Sequence, residues 1–308
     1  MDRVTIADDA IHPLELYRWA VQDPETHAAV LAIMHQRGGS GREAAVFRED
    51  FAGSCADSVA WLAMRRAGGP ARRAVAVDLD GAALAWGRAR AARLLGSLAS
   101  GLETRAMDVM DAGPPGVPEA DVIAALNFSV LYLHEREALV AYLANARRGL
   151  GPGGVLVMNL FGGPATVRVG TERHRVTPTP RLSTERAIPA FDYLWEVRSF
   201  DAGRRVVDCR IHFEVAAETP AAGHVATGAD ARNAGGVRRI DDAFRYDFKV
   251  WTPAELLDAC REAGFASPEF WRHTYDPSKG AAGVFLGATE PRSVDGLESW
   301  TAYVVARA

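Results

Sequence analysis

The stretch AAVFREDFAGSCADSVAWL, residues 44–62, decides the fold. It runs from a short apolar strand through the acidic pair Glu49-Asp50 into a loop of small residues around one glycine, Gly53, and then into an amphipathic helix. Such a corner lets the chain turn sharply, brings backbone close to a ligand and aims the first amides of the helix at it. The pyrophosphate fingerprint GxGxxG is absent, and the two acids repel phosphate, so the corner suits a ligand that carries positive charge or several hydrogen-bond donors.

The same texture continues outward. RAVAVDLD (73–80), LETRAMDV (102–109), ADVIAALNF (120–128) and GGVLVMNLF (153–161) read as buried strands, separated by helices from Gly81 to about Leu95 and over EREALVAYLANARRGL (135–150). Continuous apolar strands alternating with helices predict a parallel sheet covered on both faces, a doubly wound α/β domain with its ligand beyond the carboxyl ends of the strands. Two helices precede it, broken at Asp23-Pro24. Beyond Phe191 the pattern changes to an alternation about the turn DAG (201–203), which predicts an antiparallel hairpin. The Ala/Gly-rich run over 217–237 is expected to be a mobile loop. The chain then returns through FRYDFKVW (244–251), a helix over 252–264 and two final strands, PEFWRHTY (268–275) and SWTAYVVARA (299–308).

Composition narrows the function classes. A net charge of -4 over 308 residues offers no general attraction to a phosphate backbone, so no nucleic-acid partner is expected. Cys55, Cys209 and Cys260 are scattered and lack a CxxC pair, which predicts neither a disulfide framework nor a zinc site and fits a cytoplasmic protein. The opening MDRVTIADDA is acidic where a signal peptide is basic, and no apolar run reaches membrane-spanning length, so no membrane association is expected.

Acids stand at successive strand tips. Asp78 ends the second strand, where a carboxylate can accept from both hydroxyls of a ribose. Asp108 follows the third, where it or its neighbouring amides can meet the exocyclic amine and ring nitrogens of a base. With the pair at 49–50, these tips outline an adenosine with a cationic tail. Asp80, just before GAALAWGRA, reads instead as a helix cap.

The succession FREDFAGSC, AVAVDLD, AMDVMD, AALNFSVLYL, RRGLGPGGVLVMNLF and WTPAELLDACREAGF resembles the class I S-adenosylmethionine-dependent methyltransferases from Val46 to the C-terminus. The resemblance implies a mostly parallel, seven-stranded Rossmann-like sheet with an N-terminal helical cap and an antiparallel insertion. It divides the chain into a cap (1–43), a cofactor-binding core (44–163), an insertion or lid (164–245) and a C-terminal part of the core (246–308). It further implies S-adenosylmethionine as cofactor, S-adenosylhomocysteine as product, and a small-molecule acceptor methylated on N or O without a metal. By position, Glu49 matches the family's first acid, Gly53 its central glycine, Asp78 and Leu79 the ribose end, Asp108 and Val109 the adenine end, and Asn127 the fourth strand tip. Arg48 is a candidate partner for the cofactor's carboxylate. Phe51 and Cys55 depart from the pattern, standing where glycines are commoner.

Methyl transfer needs alignment more than bond-making groups, with a base only where the nucleophile must lose a proton. Tyr17, Tyr132 and His134 are the candidates for that role, and Gln22, Tyr193, Trp195 and His212 are further acceptor-side residues. A homodimer is compatible with the sequence. The rival readings are a macromolecular methyltransferase acting on protein or RNA, and a non-catalytic cofactor-binding module of the same fold.

Overall fold

The computed structural model describes residues 11–37, 42–64, 69–180, 185, 187–216, 236–275 and 284–308. The opening MDRVTIADDA and the expected loop up to residue 235 lie outside the described residues. The N-terminal segment forms α1 (Pro13–Val21) and α2 (Pro24–Arg37), divided where expected. The core follows as β1 (Val46–Asp50), α3 (Ala56–Ala63), β2 (Arg73–Asp78), α4 (Gly81–Leu95), β3 (Leu102–Ala106), β4 (Ala120–Ala125), α5 (Arg136–Arg148) and β5 (Leu150–Gly162). Next come β6 (Gly170–Val176), β7 (Phe191–Asp201), β8 (Val206–Ala216) and β9 (Val237–Lys249). The chain closes with α6 (Pro253–Glu262), β10 (Glu269–Tyr275), β11 (Val284–Thr289) and β12 (Trp300–Arg307).

The larger sheet has the order β11-β10-β12-β5-β4-β1-β2-β3. Its five strands from β3 to β5 run parallel, and β12 enters antiparallel beside β5. The sheet therefore has eight strands and not the expected seven. The additional one, β11, pairs antiparallel with the outer edge of β10. Its sequence, VFLGAT, is short, carries a glycine and follows directly on a Gly/Ala run, so no alternation announces it.

The second sheet, β6-β7-β8-β9, is antiparallel throughout and stands between β5 and α6 in the chain. One face carries Tyr193, Trp195 and Val197 from β7, with Phe213, Ile211 and Cys209 opposite on β8. The intervening residues Asp192, Glu196, Arg210, His212 and Glu214 face the other way, and Leu194 is the apolar residue among them. The apolar face shares a core with the larger sheet: Phe191, Phe213 and Phe248 belong to the same buried cluster as Val75, Ile123 and Leu156.

The two N-terminal helices do different things. Ala28, Leu31 and Met34 of α2 pack against Phe47, Trp61 and Val155, making α2 a core helix on one face of the sheet. From α1, Tyr17 and Val21 line a cleft beside the tip of β4.

Candidate active site

The loop after β1 adopts its shape without the glycines that such loops commonly use. Phe51 has φ 56°, Gly53 φ 47° and Cys55 φ 57°, so two non-glycine residues are held in the left-handed region. Asn127 and Phe128, after β4, are held there too, at φ 55° and 65°. Left-handed conformations cost an ordinary residue about 1–2 kcal/mol, and they gather where the surroundings over-determine them. Phe51 lies against the Tyr142 ring, 5.7 Å between centroids, Cys55 is fully buried, and Phe128 meets Phe161 edge-on at 4.9 Å. From behind, α4 crosses the loop at Gly87, where a Cβ would stand 2.3 Å from the Ser54 carbonyl oxygen. In front the loop is open: a Cβ at Gly53 meets nothing within 4 Å.

The acidic tips are tied to this loop. One oxygen of Asp78 accepts from the Gly53 amide at 2.7 Å and the other from the Asp80 amide at 2.8 Å. Asp80 caps α4 through the amides of Ala82 and Ala83, as its place in the sequence predicted. Leu79, beside the acid, is 74% exposed, an apolar surface available to a planar ring. Asp108 caps a short turn through the Met110 amide and is half-buried, and Val109 behind it is buried. The Phe128 amide donates to Asn159 Oδ1 at 2.7 Å, which fixes the β4 tip next to Asn127.

Glu49 and Arg48 have other work. The Glu49 carboxylate accepts from the amides of Asp57 (3.3 Å) and Ser58 (2.8 Å), so it occupies the N-terminus of α3. Burial first, and then the Asp57 charge, push its titration well above the ordinary range. A helix end already filled by a carboxylate has no place for a phosphate, which agrees with the missing pyrophosphate fingerprint. Arg48 is not brought to the site. Its guanidinium is 0% exposed, pairs with Asp50 at 2.9 Å and donates to the Ala112 carbonyl. The cause is strand alternation: Arg48 and Asp50 point to the α5 face, where Tyr142 also donates to Asp50 at 2.9 Å.

Next to the β4 tip opens a cleft of about 700 Å³, bounded by α1, the tips of β4 and β5, and the apolar face of the second sheet. Tyr17, Asn127, Phe161, Tyr193, Trp195 and Tyr246 line it. Asn127 belongs to both regions, since it stands at the strand-tip row and in the cleft wall. Tyr17 packs on Phe244 at 4.6 Å and hydrogen-bonds Tyr246. Burial pushes the Tyr17 phenol up to about 12, and burial likewise raises Tyr193 and Tyr246. Burial thus favours the protonated form of all three phenols.

The other predicted acceptor-side residues divide. Tyr132 stands against Phe248 at 5.1 Å and Tyr246 at 6.3 Å. Desolvation raises its phenol, with smaller contributions from Tyr17 and the Asp78 carboxylate, and it does not line the cleft. His134 does not line the cleft, because its Nε2 is held 2.7 Å from the Asp247 carbonyl, outside the wall. His212 faces the charged side of the second sheet, paired with Glu196 at 3.0 Å and receiving the Asp242 amide on Nδ1 at 3.0 Å. Glu196, His212 and Asp242 lie within metal-ligating reach of one another, but Arg198 already bridges the two carboxylates at 3.1 and 3.3 Å.

Sequence reasoning missed the strand that completes the cleft. In β6, Glu172 and His174 face the cavity, while Arg173 and Arg175 pair with Asp192 and Glu214 on the other side. GTERHRV contains no apolar alternation, so its only signal is the Arg-x-Arg spacing against an acidic neighbour strand.

Solved structures share this architecture. The sugar N-methyltransferase KedS8 from Streptoalloteichus sp ATCC 53650 superimposes with a TM-score of 0.60 at 18% identity, over 100% of this chain and 97% of its own. CalS10, an amino pentose methyltransferase from Micromonospora echinaspora with S-adenosylmethionine bound, gives 0.60 at 17% over 98% of this chain and all of its own. The CcbJ methyltransferase from Streptomyces caelestis gives 0.57 at 15%, again over 98% and 100%. No family model matches the sequence, and no curated protein matches it either. The fold is that of the class I S-adenosylmethionine-dependent methyltransferases, with an antiparallel sheet inserted after the fifth strand.

Proposed function

We propose that the protein moves a methyl group from S-adenosylmethionine to a nitrogen or oxygen of a small organic acceptor held in the aromatic cleft. The observation that carries this reading is the position of Asn127, where a row of acidic strand tips meets a cleft of small-molecule size. The residues fit the cofactor: an open loop at Gly53, a half-buried carboxylate at Asp78, an exposed apolar Leu79 and a carboxylate at Asp108. When bound, S-adenosylmethionine supplies an electrophilic methyl on a sulfonium.

The chain's own part is to bind, orient and exclude water. Asp78 would hold the ribose hydroxyls while setting the loop through the Gly53 amide. Tyr17 and Tyr246, hydrogen-bonded to each other, stand with Phe161, Trp195 and Phe248 in a wall that desolvates the nucleophile and narrows its approach. The related folds named above include a sugar and an amino pentose methyltransferase, which favours polar small acceptors over macromolecules. Three buried free cysteines suit the reducing cytoplasm. None of the described helices is long and apolar enough to cross a membrane.

Calorimetry with S-adenosylmethionine and S-adenosylhomocysteine tests the cofactor, and transfer of labelled methyl to a panel of small amines and alcohols tests the reaction. Failure of a folded preparation to bind either nucleoside overturns the reading. Binding without transfer to any small acceptor returns the non-catalytic and macromolecular alternatives.

A further inference from the structure

The cleft holds two kinds of titratable group. Its phenols are held in the protonated form by burial, and Arg168 is a fixed cation. Among the described residues lining it, Glu172 and His174 supply the carboxylate and the imidazole, the side-chain types that general-base chemistry uses.

Their placement is not accidental to the strand. Two residues apart on β6, they point to one face, and their partners across the ladder to β7 are Trp195 for Glu172 and Tyr193 for His174, both also in the cleft wall. The His174 ring lies nearly parallel to Tyr193, 5.9 Å between centroids and 28° between planes. His174 Nε2 is 3.5 Å from a Glu172 carboxylate oxygen. On the opposite face Arg173 grips Asp192 at 2.9 Å and Glu214 at 2.7 Å, and Arg175 grips Asp192 at 3.0 Å. The ladder to β7 sets the register, and these pairs occupy the face opposite the one that carries Glu172 and His174. Both side chains are more than half exposed, so a proton taken from an acceptor can pass on to water.

We infer that His174, oriented by Glu172, is the proton acceptor for the transfer. The inference rests on the methyltransferase reading above. In the balanced step, the acceptor's N or O lone pair forms the new bond to the methyl carbon, and the electrons of the broken S–CH₃ bond stay on sulfur. The proton displaced from the acceptor moves to the free imidazole nitrogen of His174, giving an imidazolium beside the Glu172 carboxylate. Solvent then removes it.

The test uses the full chain with labelled S-adenosylmethionine and benzylamine, phenethylamine and the corresponding alcohols as acceptor probes, with the fastest of these carried forward. His174→Ala is expected to lower kcat on the order of 100-fold, to leave the Kd for S-adenosylhomocysteine within about twofold, and to recover activity with added imidazole. Glu172→Gln is expected to lose about tenfold and to change the pH profile of kcat, with little effect on Tm. Wild-type kcat and pH profile in His174→Ala overturn the inference while leaving the methyltransferase reading intact. Loss of nucleoside binding by the wild-type chain overturns that reading itself, and imidazole without effect on an inactive His174→Ala assigns the residue a structural role instead.

Discussion

Asp78 does two jobs with one carboxylate. It holds the Gly53 amide at 2.7 Å and the Asp80 amide at 2.8 Å, and its remaining acceptor capacity faces the open side of the loop. Asp78→Ala should lower affinity for S-adenosylhomocysteine by tenfold or more, because a hydrogen bond to a charged group contributes about 1.5–3 kcal/mol. Calorimetry measures this, and affinity equal to wild type would reassign the ribose to another acid. Asp78 and Asp80 could be told apart from sequence alone, since a carboxylate directly before an Ala-rich helix is a cap and the one two residues earlier ends a strand. Arg48 could not. Its sign suited a carboxylate-bearing ligand, but strand alternation, which places it opposite Glu49, decides its direction, and the sequence does not state which face is which.

Elements meet the loop at close quarters. Because a Cβ at Gly87 would stand 2.3 Å from a backbone oxygen, Gly87→Ala must push α4 away from the loop or distort the loop itself. Its expected effect is a loss of about 3 kcal/mol in denaturant unfolding, at the upper end for overpacking, together with weakened nucleoside binding. A second link joins α2 to α3. His27 Nδ1 lies 2.9 Å from the buried Asp57. Burial lowers the titration of His27, but the charge and hydrogen bond of Asp57 and the charges of Asp23 and Glu25 outweigh it, and the net direction is upward. A value raised in the fold means that the folded chain binds this proton more tightly. The stabilisation is therefore complete below the ordinary value of 6.5 and is lost as pH rises through the raised one. Urea unfolding of wild type and His27→Gln should differ most in mild acid and converge toward alkaline pH. A constant difference would remove the titration from the account.

At the scale of the molecule, four separated stretches build one cleft: α1 before the core, the β4 and β5 tips within it, the second sheet after them, and Ser299, Trp300 and Thr301 at the start of β12. Trp195→Ala should raise KM for an acceptor on the order of tenfold, about 1–1.5 kcal/mol of lost aromatic contact, with cofactor affinity within about twofold of wild type. Equal changes in both would mean that the two regions are not separable. The core was legible because buried parallel strands and helices write their periods into the sequence, and because Asp78 and Asp108 end strands. The acceptor side was half legible: Tyr193 and Trp195 fall on an apolar alternation, whereas Glu172 and His174 sit on a strand whose pairing is ionic.

The left-handed residues at the β1 and β4 tips carry one further implication, which concerns timing. A glycine-built loop samples many shapes, and a ligand that selects one gives up part of its binding free energy to ordering the chain. Here Phe51, Cys55 and Phe128 are pinned by their own side chains against Tyr142, the core and Phe161. The strain is met when the chain folds, and a ligand entering beside Gly53 would find its cradle already set.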